Sequence, residues 1–194
     1  MKLYYSPGAC SMADHIALRE AGMAFDYEAV DLHTHRTATG ADFHTINPKG
    51  YVPALILDDG ELLTENLAVL DWISGQTLAL QAPGPLGRTR VLEMLTYVST
   101  EIHKAYKPLW HGDDDAEHIK ARESITALLQ PIADGLRQDY LFGATPTVAD
   151  FYLFVMLLWA GKFAVDLPAP LPDYRARMAE RPAVQAAMAA EGLI

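Results

Sequence analysis

Two different periods divide this chain. From Lys2 to about Gly75 the apolar residues fall in short runs broken by turns, whereas beyond about residue 88 they recur at the spacing of a helix. A chain that changes period once, near its middle, is restricted to a half that contains a sheet followed by a half built of helices. Between them, "GQTLALQAPGPLG" is poor in charge and rich in Pro and Gly. That composition places a linker at residues 78–87, between a domain of residues 1–77 and an all-α domain of residues 88–194. At 51% hydrophobic, 194 residues are enough for a sizeable core.

Within the first half, "KLYYS" favours a strand and the Ser-Pro-Gly that ends it is a turn signal. Met12, Ile16, Ala17 and Leu18 then stand near helical spacing, and Gly22 is a natural terminator. "FDYEAVDL" sets Phe25, Tyr27 and Ala29 against Asp26 and Glu28, which predicts a strand with one wet face. Residues 1–32 therefore read as a βαβ unit with parallel strands. After a polar loop rich in His and Thr, "VPALILDDGELLTE" predicts a hairpin around Asp58-Asp59-Gly60, and a helix follows from Glu65 to Ser74. With a short helix in the loop, the order is βαβαββα.

The second half predicts a helix over 88–107, ended by Pro108, then one from the Asp113-Asp114-Asp115 run to about Tyr140, kinked at Pro131. "TVAD" (Thr147 to Asp150) has capping-box spacing and precedes "FYLFVMLLWAG", a helix apolar all round and so the expected buried centre of this half. Two short helices, divided at Arg181-Pro182, complete the tail.

A formal charge of -10 argues against nucleic acid and anionic membrane as partners. The start, "MKLYYSPGAC", lacks the pattern of a signal peptide, and the most apolar stretch falls short of the ~20 residues needed to span a bilayer. The expectation is a soluble cytoplasmic protein. A single cysteine, Cys10, excludes an intramolecular disulfide.

Cys10 falls where the first helix begins, so unpaired amides and the helix dipole would stabilise a thiolate there. It can equally be a small buried hydrophobe. "CSMA" has Ala13 where a resolving thiol would stand, so thiol chemistry would need a second sulfur from a soluble thiol. In "NPKGYVPAL" Pro53 heads a strand, as an ordinary edge proline or in cis. A cis bond facing Cys10 would free the Val52 backbone to pair with a peptide as an added strand does. "TEN", Thr64 to Asn66, closes the hairpin and opens a helix; it reads as a cap with a first-turn acid or as a hold on the charged end of a small peptide. Thr96, Ser99, Thr100 and His103 form a polar stripe that is either a solvated face or part of a site. In "HTHR", His33 and His35 invite a metal, but no third ligand follows at a familiar spacing, so no metal is expected.

With Cys10 at a strand-to-helix turn, "NPKGYVPAL", "LLTEN", "TEIHK" and "TVAD" in this order, the chain resembles the bacterial beta-class glutathione transferases over nearly its whole length. The resemblance implies the glutathione-transferase fold: a thioredoxin-like domain, a helical domain, a homodimer, and glutathione in the cleft between the domains. It implies that Val52 pairs with the cysteinyl part of glutathione beside Tyr51 and a cis-Pro53, and that Glu65 and Asn66 hold the γ-glutamyl end. Cys10 would lie beside the glutathione sulfur, as a donor to its thiolate or a partner in a mixed disulfide. His103 would reach over from the helical domain, with Thr96, Ser99 and Thr100 on the same stripe. Tyr5 and Ser11 are reserve candidates for the role of Cys10.

Three positions depart from the family pattern: His35 stands where lysine is common near the glycyl carboxylate, Asn66 where glycine or serine is usual, and Thr96 where asparagine is common. A neutral His35 implies modest glutathione affinity that improves on mild acidification. The implied activity is conjugation of glutathione to small hydrophobic electrophiles, with thiol-disulfide exchange through Cys10 as an addition. Tyr106, Leu109 and Trp110 offer either an apolar surface for the second substrate or simple core. The alternative function is a non-catalytic ligand-binding or interaction protein of the same fold, and a third is a glutathione-dependent dehalogenase or isomerase.

Overall fold

The computed structural model describes residues 1–112 and 114–194. Asp113, one of the acids expected ahead of the second long helix, lies outside them. The first half runs β1 (Lys2–Tyr5), α1 (Met12–Glu20), β2 (Asp26–Asp31), β3 (Arg36–Thr37), a 3-10 turn (Phe43–Thr45), β4 (Ala54–Ile56), β5 (Leu62–Thr64) and α2 (Asn66–Gly75). The five strands form one sheet in the order β3-β2-β1-β4-β5. β1 pairs parallel with β2, and β4 and β5 form the antiparallel hairpin expected around Asp58-Asp59-Gly60, with Ala54 opposite Thr64. The short β3, inside the His- and Thr-rich loop, is an addition to the predicted order.

β2 corrects one expectation, because the face expected to be wet is the more buried one. Glu28 and Val30 are buried, and Tyr27, expected to point inward, is 44% exposed. The loop carrying β3 and Phe43 folds over the face that bears Val30, where Tyr4, Val52 and Ala54 complete a small second core. Glu28 accepts there from Lys2 Nζ at 2.6 Å and from Thr39 Oγ1 at 2.7 Å.

The second half runs α3 (Gly87–Tyr97), a π-helical stretch (Val98–His103), α4 (Lys107–His111), α5 (Asp115–Gly135), α6 (Val148–Lys162), α7 (Leu171–Ala179) and α8 (Pro182–Ala190). Pro108 does not end the first of these: it sits in the opening turn of α4, where a missing amide is tolerated. Asp114 caps α5 by accepting from the amides of Ala116 and Glu117, and Pro131 lies inside that helix, which stops at Gly135 rather than Tyr140. α6 is the buried centre. Its capping box is formed, and Asp150 also accepts from the Leu141 amide and the Tyr174 hydroxyl.

One apolar core runs through both halves, from Leu3 and Ile16 through Leu95 and Phe151 to Val184. α1 is buried along nearly its whole length between the sheet and the helical half. That fixes the turn ahead of α1 at the seam between the halves, and the site is built on this turn.

Candidate active site

A cleft of about 620 Å³ opens at that seam. Its floor is the turn Ser6–Cys10, one side is Tyr51, Val52 and Pro53 leading into β4, and the other is Glu65 and Asn66 at the start of α2. The helical half closes it with Ser99 and His103 from the π-helical stretch, Trp110 from α4, and Tyr152 and Trp159 from α6.

The Val52-Pro53 bond is cis, and the Val52 carbonyl lies 3.9 Å from Cys10 Sγ. Burial pushes the Cys10 thiol up to about 12, and the neighbouring Asp14 adds to the rise. The amides of Cys10 and Ser11 oppose the shift, but burial outweighs them. Of the readings open at Cys10, burial thus favours the protonated thiol, a donor, over the thiolate that a helix start favours. Asp14 itself is pushed well above the ordinary carboxylate range by full burial.

Glu65 sits at a positive φ of 71°, which aims its carboxylate away from the helix it precedes and toward Lys49 and Tyr51. Lys49 Nζ, 2.5 Å away, pulls the Glu65 carboxyl below its ordinary range. Asn66 is 8% exposed, and both polar atoms of its amide lack a protein partner. A buried amide facing a cleft with its donor and acceptor both free fits a ligand that brings one of each.

The turn is held from behind. Trp159 Nε1 donates to the Gly8 carbonyl at 2.8 Å, and the Gly8 amide donates to Glu191 at 2.9 Å. His103 Nδ1 lies 2.6 Å from the Tyr152 hydroxyl, and burial lowers the pKa of His103.

The N-terminal domain model of the glutathione S-transferases matches residues 9–76 and the C-terminal domain model matches residues 79–190. The chain belongs to the glutathione S-transferase family. It is 41% identical to glutathione S-transferase GstA of Escherichia coli O157:H7 over 200 aligned residues, covering all of both chains. A sphingomonad glutathione S-transferase solved with glutathione is 45% identical and superposes with a TM-score of 0.90 over the whole of both chains. The beta-class transferase of Sphingomonas chungbukensis, also 45% identical, superposes at 0.91 with the same coverage. The beta-class resemblance carried by the motifs agrees with the second of these.

Within this transferase fold, Cys10, Tyr51, Val52, Pro53, Glu65, Asn66, Ser99 and His103 meet at the cleft. The other predicted residues lie elsewhere. Tyr5 packs against His15 and Tyr27, and its hydroxyl donates to the Ala190 carbonyl. Ser11 is buried and accepts from the Ser6 amide. His35 pairs through Nδ1 with the Gly50 carbonyl and stacks on His44. Thr96 and Thr100 are exposed and donate to carbonyls of their own helix. Tyr106 and Leu109 are core, while Trp110 lines the cleft.

Tyr152 and Trp159 were not singled out in the sequence. The signal was present: in "FYLFVMLLWAG" they are the two side chains that end in a hydrogen-bonding group, seven residues apart and so two turns along one face. Among the described residues no three His, Cys, Asp or Glu side chains converge as for a metal ion, and no helix is long and apolar enough to cross a membrane.

Proposed function

We propose that the cleft binds glutathione and presents its thiolate to a small hydrophobic electrophile. The observation that carries this reading is the meeting of the Val52–cis-Pro53 edge, the Cys10 thiol, Glu65 with Asn66, and His103 around one cavity. The backbone of Val52 aligns the cysteinyl unit as an added strand, and Glu65 and Asn66 take the ammonium and carboxylate of the γ-glutamyl end. Cys10, protonated at neutral pH, donates to the glutathione sulfur, as do the amides of the turn, so the bound thiolate is favoured. Attack of that thiolate on an electrophilic carbon expels the leaving group and forms the thioether.

Burial of Cys10 favours its protonated form, so conjugation is placed ahead of thiol-disulfide exchange through it. The second substrate is apolar and aromatic, since Trp110 and Trp159, edge to face at 5.3 Å, wall its side of the cleft. None of the named relatives favours a non-catalytic role. The protein works as a homodimer in the cytoplasm, where the glutathione pool keeps thiols reduced.

The test is calorimetric titration with reduced glutathione, followed by conjugation assays with an activated aryl halide. Saturable binding at micromolar to low-millimolar concentration with conjugation is expected; absence of binding at both mildly acidic and mildly alkaline pH would refute the reading.

A further inference from the structure

Tyr152, on α6, meets His103 at the wall of the cleft. Its hydroxyl oxygen is 2.6 Å from His103 Nδ1, and the two rings stand at 84° with centroids 6.0 Å apart. Trp159 holds the imidazole from another side, again at 84°, with centroids 4.9 Å apart. Two rings of α6 thus fix the plane of one imidazole.

Burial lowers the pKa of His103 and raises that of Tyr152. Cys10 and Asp14 push the phenol further up, and Asn66 and Ser99, which approach it, push the other way without overcoming burial. At neutral pH the imidazole is therefore neutral and the phenol keeps its proton. The bond between them can then run either way, and where the Tyr152 O–H donates, His103 Nδ1 accepts. The single proton of the neutral ring then sits on Nε2, the nitrogen left for the cleft that His103 lines.

We propose that Tyr152 is a positioning residue that holds His103 as the Nε2–H tautomer, so that the imidazole offers the cleft a donor and not a base. This rests on the transferase reading above. A donor at this place stabilises a thiolate already formed. It does not take the thiol's proton, which leaves to water through the open side of the cleft. With the other tautomer His103 would be a general base, and the two cases differ in what each side chain contributes.

The test begins with the unaltered protein. A two-bond proton–nitrogen correlation spectrum of ¹⁵N-labelled protein at neutral pH should show the His103 ring with an unprotonated Nδ1 and a protonated Nε2. In Tyr152→Phe the same ring should show mixed tautomers. The thiolate band of bound glutathione should titrate at higher pH, and kcat should fall roughly tenfold with KM for glutathione unchanged within about twofold, as when an orienting partner is removed. His103→Gln should lose a similar factor, and the double variant should lose no more than either single one, because the two act as a unit.

An Nδ1-protonated ring in the unaltered protein, or losses that multiply in the double variant, would overturn the assignment. Calorimetric binding of glutathione to the unaltered protein separates this from the functional reading: if none binds, that reading fails, whatever the tautomer. A purely structural role for Tyr152 would lower thermal stability without changing the tautomer, and that too would overturn it.

Discussion

A thiol that ionises only near pH 12 acts as a hydrogen-bond donor long before it acts as a nucleophile. Alkylation of Cys10 by iodoacetamide in the ligand-free protein should therefore climb about tenfold per pH unit with no plateau up to about pH 10, because the thiolate fraction grows by that factor below the pKa. A plateau near pH 7 would show the low-pKa thiolate that position at a helix start predicts. The outcome turns on burial, to which Asp14 adds, and the sequence presents Asp14 as one more polar residue of an amphipathic helix. In the fold α1 has no wet face near its start, and Asp14 is fully buried. Cys10, Val52, Pro53, Glu65 and His103 were legible because each belongs to a short motif at the end of an element. Tyr152 and Trp159 were obscured because α6 is apolar on all sides, and no periodicity says which face meets a cavity.

At the scale of elements, the polar stripe on the third helix shows how local geometry overrules spacing. At 3.6 residues per turn Thr96, Ser99, Thr100 and His103 share a face. From Val98 the backbone widens into a π-helical stretch, in which residues four apart fall nearly in line. Ser99 and His103 are carried into the cleft together, and Thr96 and Thr100 are left outside, bonded to their own helix. No residue in "YVSTEIHK" announces such a widening. β2 carries the other lesson, since the loop that covers its second face is polar in sequence yet buries Glu28.

For Glu28, burial raises the carboxyl pKa, but hydrogen bonds from Lys2 and Thr39 more than reverse it, down to about 2. The folded-state value is below the unfolded one, so this contribution to stability is complete above about pH 5, declines below the ordinary carboxylate value near 4.3, and is gone below the folded value. Thermal melts of the parent and Glu28→Gln should differ at pH 7 and converge as pH falls through that window. A gap independent of pH would mean that the ion pair with Lys2 has no part in it.

For the whole molecule, a sheet-bearing half precedes a helical one, yet the halves share one core and the chain's last helix returns to its first turn. Glu191, just past α8, accepts from the Gly8 amide and pairs with buried His15 at 2.9 Å. No motif links positions so far apart in sequence, so this closure was invisible until the chain was folded. Glu191→Ala leaves His15 buried without this partner and the Gly8 amide without its acceptor, a loss of about 2 kcal/mol and several degrees in thermal midpoint. The same variant should raise KM for glutathione by loosening the turn under the sulfur; an unchanged KM beside a lowered midpoint would confine Glu191 to stability.

Trp159 ties the chain's centre to that same turn while facing the ring of His103. Its indole is one of three in the chain, and Trp110 beside it also borders the cavity. Two of the three tryptophans thus stand where a ligand must pass. Their emission will register the arrival of each substrate, so the order and speed of entry can be followed by stopped flow in the native protein, with no dye attached.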